Sequence, residues 1–258
     1  MERMSRRPPS PVVVKLGGSV ITDKKVSFSY REEAVRALGM AIASSGLPVV
    51  VVHGGGSFGH PLAKRYGLSS RASAASAEGV SETREAMLRL DAMVSASLTS
   101  AGLRPYTFSP FTLLDLEGGG GRSFLRRLIA AGAAPLTFGD VVHDGKGFRV
   151  LSGDTICVEL SEMLGAERCV MALDVAGVLD DDGRVVETLG EGAAPLPGSL
   201  ADATGGIAFK VSEALRMAAA GTEVRLVSGL APGEFSKALK GVEFHGTTVR
   251  VARGVSSG

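Results

Sequence analysis

The chain has 258 residues, 45% of them hydrophobic and 21% charged, with a formal net charge of +1. Such a composition excludes a disordered or fibrous chain, and the near-zero charge, with no long run of one sign, argues against nucleic acid as the main partner. The basic start MERMSRRPPS leads into no apolar segment, and the aliphatic runs fall far short of the roughly 20 residues of a membrane span, so a cytoplasmic protein is expected.

Val12–Leu16 reads as a buried strand that stops at Gly17-Gly18-Ser19. Tyr30–Ser45 has apolar residues at helical spacing and ends near Gly46. Pro48–Val52 is a second aliphatic strand, and Glu78–Ser100 a long amphipathic helix carrying Met87, Leu90, Met93, Val94 and Leu98 on one side. Arg104–Phe108 reads as a strand, Gly118–Gly121 as a glycine loop, Arg122–Ala131 as a helix and Ala134–Phe138 as a strand. Val141–His143 and Phe148–Leu151 flank Asp144-Gly145, a hairpin signal. Further on come a helix over Asp154–Leu164, a strand over Arg168–Leu173, a helix over Gly206–Ala220 and a strand over Glu223–Val227. A short helix over Pro232–Leu239 and a strand over Thr247–Val251 complete the series. Aliphatic strands alternating with helices predict an α/β protein whose mostly parallel sheet is covered on both faces. Arg184–Ala203 is polar, contains proline and glycine, and reads as a mobile flap. Cys157 and Cys169 lack metal-ligand spacing and are expected to be buried, reduced thiols.

Ligands of such sheets sit beyond the carboxyl ends of strands, and the chemistry-bearing stretches fall there. Lys15 lies near the end of an apolar strand, a costly place for an unpaired charge, and Gly17, Gly18 and Ser19 follow it with donors that can converge on an anion. Lys24 can reach the same place. The stretch VVVVHGGGSFGHP, residues 49–61, spells G-x-G-x-x-G with Gly54, Gly56 and Gly59, and Glu78 has the spacing of a ribose-binding acid. Dinucleotide folds, however, carry that fingerprint after their first strand. A P-loop reading fails, because His60-Pro61 stands where Lys-Ser/Thr belongs. A glycine nest opening a helix is what remains, with Pro61 able to sit at the first helical position and His60 able to donate to a phosphoryl oxygen. His53, at the strand end, reads mainly as a structural residue.

In Ser152-Gly153-Asp154-Thr155, short side chains can cap the next helix, and Gly153 can approach a ligand oxygen. Asp174 ends a buried strand, where it can orient Lys15 or hold a water of Mg2+. Gly206 and Lys210 place a helix N-terminus and a lysine together, again an anion site. No Ser/His/Asp or Cys/His pair stands out. Two glycine nests, three lysines and strand-end acids suit phosphoryl transfer, which needs positioning and charge neutralisation.

KLGGS (15–19), VHGGGSFGH (52–60), SGD (152–154), DVAGV (174–178) and TGGIAFK (204–210) resemble, in order and spacing, the motifs of the amino acid kinase superfamily. KLGGSVITDK followed by HGGGSFGHP resembles the branch whose acceptor is isopentenyl phosphate. The resemblance implies an open αβα sandwich, usually a homodimer. It implies one domain over 1–258, with a substrate-binding N-terminal lobe to about 165 and a nucleotide-binding C-terminal lobe after it. It implies transfer of the γ-phosphate of ATP, with Mg2+, to isopentenyl phosphate, a step toward isoprenoids; fosfomycin or an N-acyl amino acid are the alternative acceptors. It places Lys15, Gly17, Gly18, Ser19, Gly56, Asp174, Gly206 and Lys210 around ATP, with Lys24 near the transferred group and Asp174 also orienting Lys15. It places Gly54, Gly55, His60 and Gly153 around the substrate. Ala176 stands where the superfamily usually has a second acid.

Overall fold

The structure is a computed structural model, and it describes residues 10–68, 76–112, 120–190 and 206–251. In chain order the elements are β1 (Val12–Leu16), α1 (Gly18–Ile21), α2 (Glu32–Ser45), β2 (Val49–His53), α3 (Gly56–Arg65), α4 (Ala77–Ser100) and β3 (Pro105–Thr107). They continue with α5 (Gly120–Ala130), β4 (Ala134–Phe138), β5 (Asp140–His143), β6 (Phe148–Leu151), α6 (Gly153–Leu164), β7 (Arg168–Leu173) and β8 (Thr188–Leu189). The last are α7 (Gly206–Ala219), β9 (Glu223–Ser228), α8 (Pro232–Lys240) and β10 (Gly246–Val249).

Eight strands form one sheet in the order β3-β4-β2-β1-β7-β9-β10-β8. The pairs from β3 to β9 are parallel, and β10 runs antiparallel to β9. β5 and β6 form the expected hairpin, separate from the main sheet, with His143 opposite Phe148. Strand alternation divides the core into two layers. Val12, Val14, Leu16, Val49 and Val51 pack under α2, α3, α4 and α8, while Val13, Val50 and Val52 pack under α5, α6 and α7. The odd positions of β1 therefore lead Val13 and then Lys15 toward the α6 side. The odd positions of β2 carry Val49, Val51 and then His53 toward the α4 side. No helix among the described residues is long and apolar enough to cross a membrane.

Helix ends follow local chemistry. Gly46 closes α2 in the left-handed region at φ 64°. The Ser76 side chain accepts from Gly79 N–H, at 3.0 Å, to open α4. Three details differ from expectation. Residues 18–21, read as a turn, form the short helix α1. Pro61 lies inside α3 rather than at its first position, because Gly56 already starts the helix. Thr188–Leu189, within the stretch read as a flap, pairs with β10 as an edge strand; residues 191–203 of that stretch, and Gly118 and Gly119 of the four-glycine run, lie outside the described residues.

Leu16 lies opposite His53 on one side and Ala172 on the other, so the strands that end at Leu16, His53 and Leu173 finish level. Gly17-Gly18 and Gly54-Gly55-Gly56 then meet backbone to backbone. A Cβ on Gly18 would stand 2.4 Å from Gly56 N, and one on Gly56, whose φ is +47°, would stand 2.1 Å from Thr22 Oγ1. Gly18→Ala is expected to overpack this junction by about 1–3 kcal/mol, lowering Tm by several degrees at about 2–4 °C per kcal/mol. Gly233→Ala, where a Cβ meets nothing within 4 Å, is the control and is expected to leave Tm nearly unchanged. Thermal unfolding of the two variants checks this.

Candidate active site

Lys15 is 3% exposed, so its ammonium requires a partner. That partner is the Asp154 carboxylate, which bonds Lys15 through Oδ1 and Lys210, at 3.2 Å, through Oδ2. Three elements converge here: β1 delivers Lys15, the first turn of α6 delivers Asp154, and the first turn of α7 delivers Lys210. Ser152, not Asp154, caps α6, accepting from Thr155 N–H at 3.0 Å, which leaves the aspartate free for the lysines. Burial alone would push the Asp154 carboxyl up, but the Lys15 and Lys210 ammoniums more than offset it and hold its pKa below the usual carboxylate range. Burial, and then repulsion from Lys15, push the Lys210 ammonium down from its ordinary value.

Asp174 is therefore not the partner of Lys15, as the sequence suggested. It pairs with Lys24 at 2.9 Å on the rim of the cleft, where both side chains are substantially exposed. Burial pushes Asp174 upward, but hydrogen bonds from Lys24 and Ser19 bring it below the usual carboxylate range. The correction has a simple cause. Asp174 follows β7 outward into the bend at 174–177, whereas Asp154 sits on the helix that packs against the Lys15 face of β1. In that bend a Cβ on Gly177 would meet Thr247 Oγ1 at 2.6 Å, and Asp180 is engaged locally, its Oδ1 accepting from the Asp182 and Arg184 N–H groups.

His60 is solvent-exposed in α3. It lies close to the lysine cluster: surrounding protein first, then the charges of Lys210 and Lys15, hold its imidazole below the ordinary histidine pKa. That shift favours the neutral ring, which keeps one N–H to donate. A Cβ on Gly55 would lie 3.3 Å from His60 Cδ2, and one on Gly153 would lie 3.3 Å from both Lys15 Cε and the His53 carbonyl oxygen, so these glycines let backbone approach the same space. A Cβ on Gly206 would meet nothing within 4 Å, so that glycine opens α7 without steric need. Met87 of α4 backs the nest, its sulfur 2.6 Å from where a Gly59 Cβ would be.

Sequence reasoning missed how Lys24 is carried. Pro61 has no N–H, so the carbonyl four residues earlier, on Ser57, has no helical donor. That carbonyl accepts instead from Phe28 N–H at 3.3 Å. Ser57 also donates its N–H to Thr22 Oγ1 at 2.9 Å and accepts Ser29 N–H on its hydroxyl at 3.2 Å. The Phe28 ring meets Phe58 edge-on, with centroids 5.3 Å apart, and its φ is 55°. The loop bearing Lys24 is thus hooked onto α3 beside His60. The usable signal was Pro61 itself: four residues before a proline in a helix, a carbonyl is left free.

A neutral donor, three ammoniums and converging glycine backbone make a site for two anionic groups held close together. The model of the amino acid kinase family matches residues 10–228. Isopentenyl phosphate kinase of Haloferax volcanii is 38% identical over 81% of this chain and 89% of its own length. The structure of the Thermoplasma acidophilum isopentenyl phosphate kinase product complex superposes with a TM-score of 0.76, at 30% identity, over 93% of this chain and 100% of that one. Acetylglutamate kinase of Moritella profunda is 27% identical over 93% of this chain and 96% of its own. The chain belongs to the amino acid kinase family, and within it to the isopentenyl phosphate kinases.

Asp154→Asn is expected to leave Lys15 buried without a counter-charge and to destabilise the fold by about 3–5 kcal/mol near neutral pH. Asp154 is depressed when folded, so its contribution is present above the ordinary 3.8 and is lost as pH falls through the lower folded value. Thermal unfolding against pH should show the gap between parent and variant closing below about 3.8. Pro61→Ala restores a helical donor for the Ser57 carbonyl. It is expected to loosen the Lys24 loop and lower kcat by roughly the worth of one hydrogen bond, about three- to tenfold, with Tm unchanged or raised. Steady-state kinetics and calorimetry together test it.

Proposed function

We propose that this chain transfers the γ-phosphoryl group of ATP to isopentenyl phosphate, yielding isopentenyl diphosphate and ADP. The observation that carries the reading is His60 beside the Lys15–Asp154–Lys210 cluster. An acceptor that is already a phosphate monoester is largely ionised near pH 7, so it needs no general base. An oxygen of that phosphate attacks the γ-phosphorus, a new P–O bond forms, and the bond to the bridging oxygen of ADP breaks.

In this reading His60 donates to the acceptor phosphate, and Gly54, Gly55 and Gly153 let the backbone close around it. Lys15 and Lys210, spaced by Asp154, take up charge on the transferred group, and Lys24 leaves Asp174 to join them. Gly17, Gly18, Ser19, Gly56 and Gly206 line the nucleotide side, with the N-terminal lobe to about residue 165 holding the acceptor and the remainder the nucleotide. Mg2+ bound with ATP would supply charge neutralisation on the phosphates, and Asp174 on the rim is the residue that would hold one of its waters. Three lysines and one bridging acid suit this arrangement, since the ion needs no cage of protein carboxylates. A homodimer in the cytoplasm completes the proposal, on the resemblance described above.

His60→Ala is expected to lower kcat/KM on the order of 10²-fold, the loss of a donor to developing charge. His60→Gln is expected to recover part of it, because an amide N–H can still reach an oxygen. An ADP-release assay with Mg-ATP over isopentenyl phosphate, fosfomycin and acetylglutamate tests the acceptor. Turnover of either of the last two alone, or undiminished turnover by His60→Ala, would overturn the reading.

A further inference from the structure

His53 is fully buried at the end of β2, and Asp91, 5% exposed, sits in the middle of α4 among Met87, Leu90 and Val94. A carboxylate on the apolar face of a helix is a destabilising choice unless it is paired. Here it is paired: His53 Nε2 lies 3.3 Å from Asp91 Oδ1. The other ring nitrogen, Nδ1, lies 3.2 Å from the Gly54 carbonyl oxygen. The imidazole is stacked on Phe138 at 5.4 Å and 22°, which fixes its plane. A carbonyl oxygen only accepts, so the Gly54 contact is a bond when Nδ1 carries the hydrogen, and the proton of the Nε2–Oδ1 contact is then shared between His53 and Asp91.

This bond reaches the phosphate site through one rigid unit. The peptide joining Gly54 to Gly55 is planar and trans, so its C=O and N–H point in opposite directions. Fixing the Gly54 carbonyl therefore fixes the Gly55 N–H. A run of three glycines has little preference of its own for either orientation of that peptide. On its other side Gly54 is tied to β1, its N–H donating to the Leu16 carbonyl at 3.0 Å. With both sides anchored, the peptide has one orientation. We infer that His53, held by Asp91, is a positioning residue that aims the Gly55 N–H at the acceptor phosphate. The inference rests on the acceptor site proposed above.

Two polar substitutions separate the two ends of the ring. The amide nitrogen of His53→Asn stands near Nδ1 and can still donate to Gly54, whereas that of His53→Gln stands near Nε2 and can reach only Asp91. His53→Gln is expected to raise the KM for isopentenyl phosphate about tenfold, the worth of one hydrogen bond to a charged group, with the KM for ATP and kcat little changed. His53→Asn is expected to stay within about threefold of the parent on all three. A Gln variant with parental acceptor KM, a Gln variant better than Asn, or equal losses in both with lowered Tm would each overturn the proposal. His60→Ala is measured alongside. If it too leaves the acceptor KM and kcat unchanged, the acceptor site itself is misplaced; if it is impaired while His53→Gln is not, only the role of His53 fails.

Discussion

A buried ammonium, a half-buried one and the buried carboxylate between them set the terms for the rest of this molecule. Lys15 and Lys210 repel each other, and Lys15 could not sit so deep without Asp154 between them. Burial alone would push the carboxylate's pKa up were the lysines absent. Each member is there because of the other two, and each arrives on a different element. The parallel sheet exists, in functional terms, to hold β1 level with its neighbours so that α6 and α7 can present their first turns to the end of that strand. Ser152 matters for the same reason: by taking the capping duty, it frees the next carboxylate for the lysines.

The fourth charged group works under a different regime. Lys24 and Asp174 are both well exposed, so their ion pair is screened and contributes little to stability. Weakness is useful there, because a lysine that is loosely held can exchange a carboxylate for a phosphate at small cost. Its loop still has to be kept nearby, and the Ser57 hub does that with backbone groups and a hydroxyl rather than with charge. Pro61 frees the one carbonyl this arrangement lacks. Deep lysines thus fix the geometry, and a rim lysine on a tethered loop supplies mobility.

Much of this was legible in the chain. Lys15 at the fourth place of an all-aliphatic strand demanded a partner, and strand alternation put it on one known face. The glycine runs after β1 and β2 marked where two backbones approach, and the nest was read as opening a helix, although the helix begins at Gly56 rather than near Pro61. The identity of the partner acid was not legible. Asp154 follows a serine at a helix start, so capping explained it as well as chemistry did, while Asp174 at a strand end looked equally suitable. Only packing, which swings one acid outward with its bend and holds the other against β1, separates them. The Asp91–His53 contact was hidden for a related reason: 38 residues, including the whole of α3, separate the pair, and no local period links them. Helix α1 was lost to its shortness, since four residues beginning Gly-Ser carry no helical period.

The choice of a histidine rather than a further lysine at position 60 follows from the same electrostatics. The cleft already holds three ammoniums against two carboxylates. A fourth permanent cation would have no counter-charge before the ligands arrive, and the repulsion would fall hardest on Lys210, whose ammonium is already disfavoured by burial and by Lys15. An imidazole eases this because its neutral form is favoured, by the surrounding protein first and then by Lys210 and Lys15. It donates through a single N–H, and it adds no net charge for the cleft to accommodate while empty. In the proposed reading, an entering phosphate dianion would partly cancel the lysines' field at the ring that donates to it. Charge here is fixed where phosphoryl transfer requires it, and responsive where the acceptor binds.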